Sequence, residues 1–244
     1  MNERPILFSA PMVRALLVGT KTQTRRVAKF VPLTSGLNMR FTGLRVERRP
    51  DGDVVLQSRD GATNLNDRTK PLRCPYGKPG DQLWVREAIQ LLPDQEPDDG
   101  TGVVVSAYVA DGSWTVADAW PWRRKLLSPI HCPRGLSRIT LEIVKVRVER
   151  LQGISNEDAC AEGCSCYVCG RIMDGRSEAD CHCFHRRADH RDYYMLWEQI
   201  NGPGSWVANP WVWCVEFKLV SPNAQGQRAA EPSAAPQSSA ATEG

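Results

Sequence analysis

The sequence predicts an α+β domain built mainly from short strands that curl into a small barrel. Three observations predict it. Apolar residues alternate in several runs of five to fourteen residues, the two-residue period of a strand. Only a few short stretches carry helical spacing, and each is bracketed by capping residues and glycine. The remaining sequence breaks into two unusual pieces, a cysteine-rich segment over residues 164–190 and an Ala/Ser/Pro/Gln-rich tail over residues 221–244.

The first helix is predicted over residues 9–18. Ser9 can cap it, Pro11 suits its first turn and Gly19 ends it. Met12, Val13, Leu16 and Leu17 share one side. The polar, basic stretch from Gly19 to Arg26 reads as a loop. Residues 30–72 read as irregular, with a hairpin turn at Pro50-Asp51-Gly52-Asp53. Strands are expected at 82–87, after the Gly77-Lys-Pro-Gly-Asp81 turn, and at 102–110.

The strongest strand is 137–150. Ile139, Leu141 and Ile143 occupy one face, then Val144, Val146 and Val148 take over. A one-residue slip of this kind predicts a β-bulge, and small barrels use such bends to close. A short helix follows from Ser155 to Glu162. Another spans 191–200, with Tyr193, Leu196, Trp197 and Ile200 on one side. The last strand is 211–219, where Trp211, Trp213, Val215 and Phe217 alternate with Val212, Cys214 and Glu216. The tail holds too little apolar surface to offset its ordering entropy and is expected to be disordered.

With 41% hydrophobic and 24% charged residues, the composition is that of an ordinary globular protein. No run approaches the roughly 20 apolar residues of a membrane helix. Arg14 interrupts the apolar run near the N-terminus, which argues against a signal peptide, so a cytoplasmic location is expected. The net charge of +3 is unevenly spread: ten Lys/Arg stand against Glu3 and Glu47 in the first fifty residues. That imbalance predicts a positive face for a phosphate-bearing partner, or a solvated basic surface without one.

Six of the nine cysteines lie between Cys160 and Cys183. Cys166-x-x-Cys169 and Cys181-x-Cys183 form two short-range pairs separated by a loop. Four thiolates so arranged can close a structural zinc site, with Cys164 or His185 as substitutes. Cys74, Cys132 and Cys214 stand apart and are expected to be buried thiols.

Four blocks carry a resemblance: Pro5 to Arg26, Tyr76 to Glu87, Ser137 to Glu142 and Asn209 to Trp213. In order and content they resemble bacteriophage-type ASCH-domain proteins. The wider superfamily's Gly-x-Lys-x-x-Thr-x-Arg motif corresponds to Gly19, Lys21, Thr24 and Arg26. The resemblance implies a PUA-like barrel over residues 1–163 and 191–220, with RNA or a modified nucleobase in its cleft. Some small bacterial members resemble amidohydrolases that deacetylate N-acetylated cytidine with a lysine, a threonine and a glutamate. The motif carries the first two to Lys21 and Thr24. Glu162, in the short helix after the long strand, is the match for the third. Other members are described as ribonucleases or as binders, so the resemblance leaves the reaction open.

Two readings of the loop therefore stand side by side. In one, Lys21 has a pKa lowered by Arg25 and Arg26 and acts as base or nucleophile, with Thr24 and Glu162 as partners. In the other, Lys21, Arg25 and Arg26 hold phosphates, and Thr22 and Thr24 add hydroxyl contacts. Arg86 and His131 are further candidates for the same cleft. Trp206 is a candidate for base stacking, as are Trp114, Trp120 and Trp122.

Overall fold

The computed structural model describes residues 1–60, 64–92, 104–117, 120–164 and 190–220. It is a mixed α+β structure, mostly sheet. A five-stranded sheet forms its centre. It takes β1 (Glu3–Leu7), β2 (Gln23–Val27), β6 (Gln82–Arg86), β11 (Thr140–Arg150) and β12 (Trp211–Val220), in the order β1-β6-β11-β12-β2. β1 and β6 run parallel, and the other pairs are antiparallel. A hairpin of β3 (Arg45–Arg48) and β4 (Val54–Asp60) pairs on with β5 (Asn64–Asp67). A four-stranded sheet is made by β7 (Ile89–Leu91), β8 (Val104–Tyr108), β9 (Trp114–Ala117) and β10 (Leu126–Leu127). Among the described residues none of the three sheets closes on itself into the expected barrel.

The bulge is where the alternation slips. The β11–β12 register shifts between Ile143 and Lys145, leaving Val144 exposed. Leu141 and Ile143 before the bulge and Val146 after it therefore all reach the same core. That core also takes Trp211, Trp213, Val215 and Phe217 from β12, and Val13 and Leu16 from α1 (Ala10–Leu17). Ser9 has the extended backbone of an N-cap, but its side chain makes no capping bond.

The opposite face of the sheet carries a second core. It joins Val212 to Ala159 of α2 (Asn156–Ala161) and to Tyr193 and Trp197 of α3 (His190–Asn201). Ser155 caps α2, its hydroxyl accepting from the Asp158 N–H at 3.1 Å. The expected side of α3 holds for Tyr193, Leu196 and Trp197, while Ile200 is exposed. Cys74, Cys132 and Cys214 are buried free thiols, as their isolation in sequence predicts. Cys166, Cys169, Cys181, Cys183 and the tail lie outside the described residues. Among the described residues no helix is long and apolar enough to cross a membrane.

The stretch expected to be a loop after Gly19 is instead β2, an end strand of the central sheet. Its residues are polar on both faces, so no apolar alternation marks it. The backbone ladder to β12 and the ion pairs of Arg25 hold it.

Candidate active site

Across β11, β12 and β2, Arg147, Cys214 and Arg25 lie side by side, with Glu216 opposite Gln23 one step along. These side chains share one face. Arg25 has no exposed side-chain surface and meets three carboxylates. Its Nε donates to Glu149 at 3.0 Å, and its two terminal nitrogens to Asp158 at 2.7 Å and Glu162 at 3.1 Å. Arg147 closes the network, donating to Glu149 at 3.0 Å, to Asp158 at 2.8 Å and to Glu216. Gln23 ties the strand to α2 through the Asp158 carbonyl at 2.7 Å.

Lys21 stands at the open end of β2 and forms a backbone bridge with Glu162, which follows α2. Its side chain is fully buried. The ammonium has three N–H donors, and all three are engaged: by the Gln23 carbonyl at 2.9 Å, the Glu162 carbonyl at 2.7 Å and Glu162 Oε2 at 3.1 Å. An unpaired ammonium at this depth would cost several kcal/mol, so this saturation is what lets the lysine lie here. Gly163 makes the approach possible. It adopts a φ of +69°, and a Cβ there would lie 2.8 Å from both Ala15 Cβ and Lys21 Cβ.

Burial lowers the Lys21 pKa from its usual value, and it outweighs the charge of Glu162 beside it. The direction is the expected one, but the main cause differs. Desolvation dominates, and Arg26 contributes least. Arg25 behaves oppositely: burial would lower its pKa, but Glu162 and Glu149 raise it. Two cations thus share Glu162, and of the two the lysine is the one whose hold on its proton burial weakens. Asp158 is held below its ordinary value, because Arg25 and Arg147 outweigh its burial. Cys164 lies buried nearby, and burial together with Glu162 pushes its thiol well up.

The remaining candidates divide by position. Thr24 is buried opposite Val215, on the strand face that also carries Arg26. The Phe8 ring joins that face to the lysine, with Lys21 Nζ at 5.4 Å and Arg26 Cζ at 5.5 Å from its centroid. Arg26 donates to the Leu7 carbonyl at 2.6 Å, and its Nε is buried without a partner. Thr22 is exposed and uses its backbone, its N–H donating to Ala161 and its carbonyl accepting from Phe217. Arg86 donates to the Cys132 and Ile130 carbonyls, fixing the turn that displays His131 at the surface. Trp206 packs edge-on against Tyr193 and Tyr194, at 6.2 and 5.6 Å. Trp120 and Trp122 pack against each other at 4.9 Å.

The comparisons are silent. No family model, curated protein or solved structure matches this chain. The site therefore stands on its own geometry. Sequence reading missed Glu149, Asp158, Arg147 and Glu216 as its ionic frame. The available signal was the shared face of Arg147 and Glu149 along the long strand, next to Glu216 on its partner.

Proposed function

We propose that this chain is an ASCH-type, PUA-like protein and a hydrolase of N-acylated pyrimidine nucleosides, with Lys21 and Glu162 at its centre. The observation that carries the proposal is the meeting of these two residues. They are 141 positions apart in sequence and 3.1 Å apart in space, with the lysine buried and its pKa lowered. The four blocks that resemble ASCH proteins also supply every strand of the central sheet. β1 and β2 overlap the first block, β6 lies in the second, and β11 and β12 begin in the third and fourth.

In this reading neutral Lys21 takes a proton from water as the water oxygen adds to the acyl carbonyl. The Thr24 hydroxyl donates to the oxyanion that develops. The lysine proton then passes, directly or through Glu162, to the leaving nitrogen. The C–N bond breaks, giving a free amine and a carboxylic acid, which loses its proton to water as the carboxylate leaves. Arg25 holds the Glu162 carboxyl in place. Because Lys21 has no exposed surface, the chemistry requires an opening near Phe8 before substrate reaches Nζ.

The test is mass-spectrometric turnover of N-acetylcytidine and related N-acylated nucleosides, with unmodified nucleosides and short RNA as comparators. Release of acetate by the wild type and its loss in Lys21→Met supports the reading. No product from folded wild-type protein overturns it. The partnerless Arg26 Nε favours a second reading, in which the same region only binds a base or RNA. Salt-dependent binding without turnover would select it. The paired cysteines at 166, 169, 181 and 183 support a structural zinc in the same chain, and zinc content of wild type against Cys166→Ser tests that.

A further inference from the structure

The start of β1 borders a second feature. A cleft of about 240 Å³ opens between the β3–β4 turn and the 74–81 turn. Four cations line it, Arg4, Arg48, Arg73 and Lys78, against the carboxylates Asp51 and Asp81. Both carboxylates are already engaged by backbone. Asp81 accepts from the N–H of Asn2 at 3.0 Å and of Lys78 at 3.2 Å, and Asp51 accepts from Asp53 N–H at 3.0 Å. Arg73 is paired with Asp53 at 2.7 Å.

Arg4 and Arg48 are held by backbone carbonyls, as Arg14, Arg26, Arg86 and Arg150 are elsewhere in the chain. Arg4 donates to the Pro75 carbonyl at 2.9 Å, and Arg48 to the Val146 carbonyl at 2.7 Å. A neutral carbonyl fixes the direction of a guanidinium but leaves its charge uncompensated. Lys78 is exposed beside them. Cys74 is a further lining residue, and burial raises its pKa, so it adds no negative charge. The turn that carries Lys78 depends on Gly77, whose φ is +118° and where a Cβ would lie 2.9 Å from Asp81 Oδ2.

We propose that this cleft is a phosphate-binding site, with Arg4, Arg48 and Lys78 as its ligands. Arg4 and Arg48, which form no ion pair among the described residues, together with Lys78 beside Asp81, suit a dianion better than a single carboxylate, and guanidinium groups match phosphate oxygens in pairs. The volume favours the same class. Pockets that enclose drug-sized molecules run to roughly 300–1,000 Å³, so this one suits a phosphate or diphosphate rather than a whole nucleotide. The site is separate from the Lys21–Glu162 pair. Arg4 and Phe8 are four residues apart along extended chain, about 13 Å. It does not depend on the hydrolase reading, because it is read by binding alone.

The phosphate can belong to a nucleotide or to an RNA backbone, and calorimetric titration with pyrophosphate, cytidine 5′-monophosphate and a short single-stranded RNA separates these sources. The variant is Arg48→Gln with Lys78→Gln, two exposed side chains. The control, Arg124→Gln with Lys125→Gln, removes the same charge from an exposed loop elsewhere. The expected result is binding of at least one probe by the wild type, weakened tenfold or more in the cleft variant and less than twofold in the control. Pyrophosphate and nucleotide binding without RNA binding assigns a terminal phosphate, and the converse assigns the phosphodiester backbone. Equal loss in variant and control, or no binding by the wild type, overturns the proposal.

Discussion

The two ends of strand β1 use basic residues in opposite ways. At the Phe8 end, Lys21 and Arg25 are fully buried, and both have a carboxylate partner. At the Arg4 end, Arg4 and Arg48 are held by neutral carbonyls, and Lys78 stands in solvent. The first arrangement makes cations part of the fold and lowers one lysine's hold on its proton. The second keeps positive charge available to a ligand. A count of Lys and Arg in the first fifty residues cannot separate these uses, because they differ only in what each side chain meets.

Removing a charge at each end is the most direct way to break the comparison. Arg25→Ala leaves Glu162, Glu149 and Asp158 short of a partner and is expected to cost about 3–5 kcal/mol, read from the denaturant midpoint. If it costs less than 1, the network is not what holds β2. Gly163→Ala follows. A left-handed backbone with a Cβ adds about 1–2 kcal/mol, and the crowding against Lys21 and Ala15 adds about 1–3. Gly19, at φ +76° with open space around it, should show only the first of these, so the pair of glycine variants isolates the Lys21 contact.

The pH dependence sharpens the difference further. Lys21 has a lowered pKa when folded, so the unfolded chain binds more protons between that value and about 10.4. Wild-type stability should gain a rising contribution across that alkaline window. Lys21→Met should lack it, and thermal melts at stepped pH test this. At the other end, hydrogen bonding from the Asn2 N–H holds the Asp81 pKa down. Its contribution is present above about pH 3.9 and is lost as pH falls through its folded value. Asp81→Asn should flatten that acid-side decline. The smallest effect is expected for Arg48→Gln, an exposed side chain whose loss should change stability by no more than about 0.5 kcal/mol. A larger cost would mean that Arg48 belongs to the fold rather than to a ligand.

Much of the fold was legible in the sequence. The β11 bulge, the alternation of β12, the β3–β4 turn, the extent of α1 and the Ser155 cap of α2 follow from local patterning. β2 was not legible, since Gln23, Thr24, Arg25 and Arg26 give a strand no apolar face. Its burial depends on carboxylates from β11, α2 and the residue after α2. In the site, Lys21, Thr24 and Glu162 were named from the resemblance, and the lysine and glutamate do meet. Glu149, Asp158, Arg147 and Glu216 were not foreseen, because an ion network has no sequence period.

By itself, then, the sequence determined which segments pair and bend, through two-residue alternation, its one-residue slip and the glycines that permit tight approach. It also determined that the first fifty residues are rich in positive charge. Only the tertiary structure decided which of those charges are consumed and which are free. That choice depends on contacts between residues 71 to 141 positions apart, where desolvation penalises any cation left without a partner and spares one that stays in water.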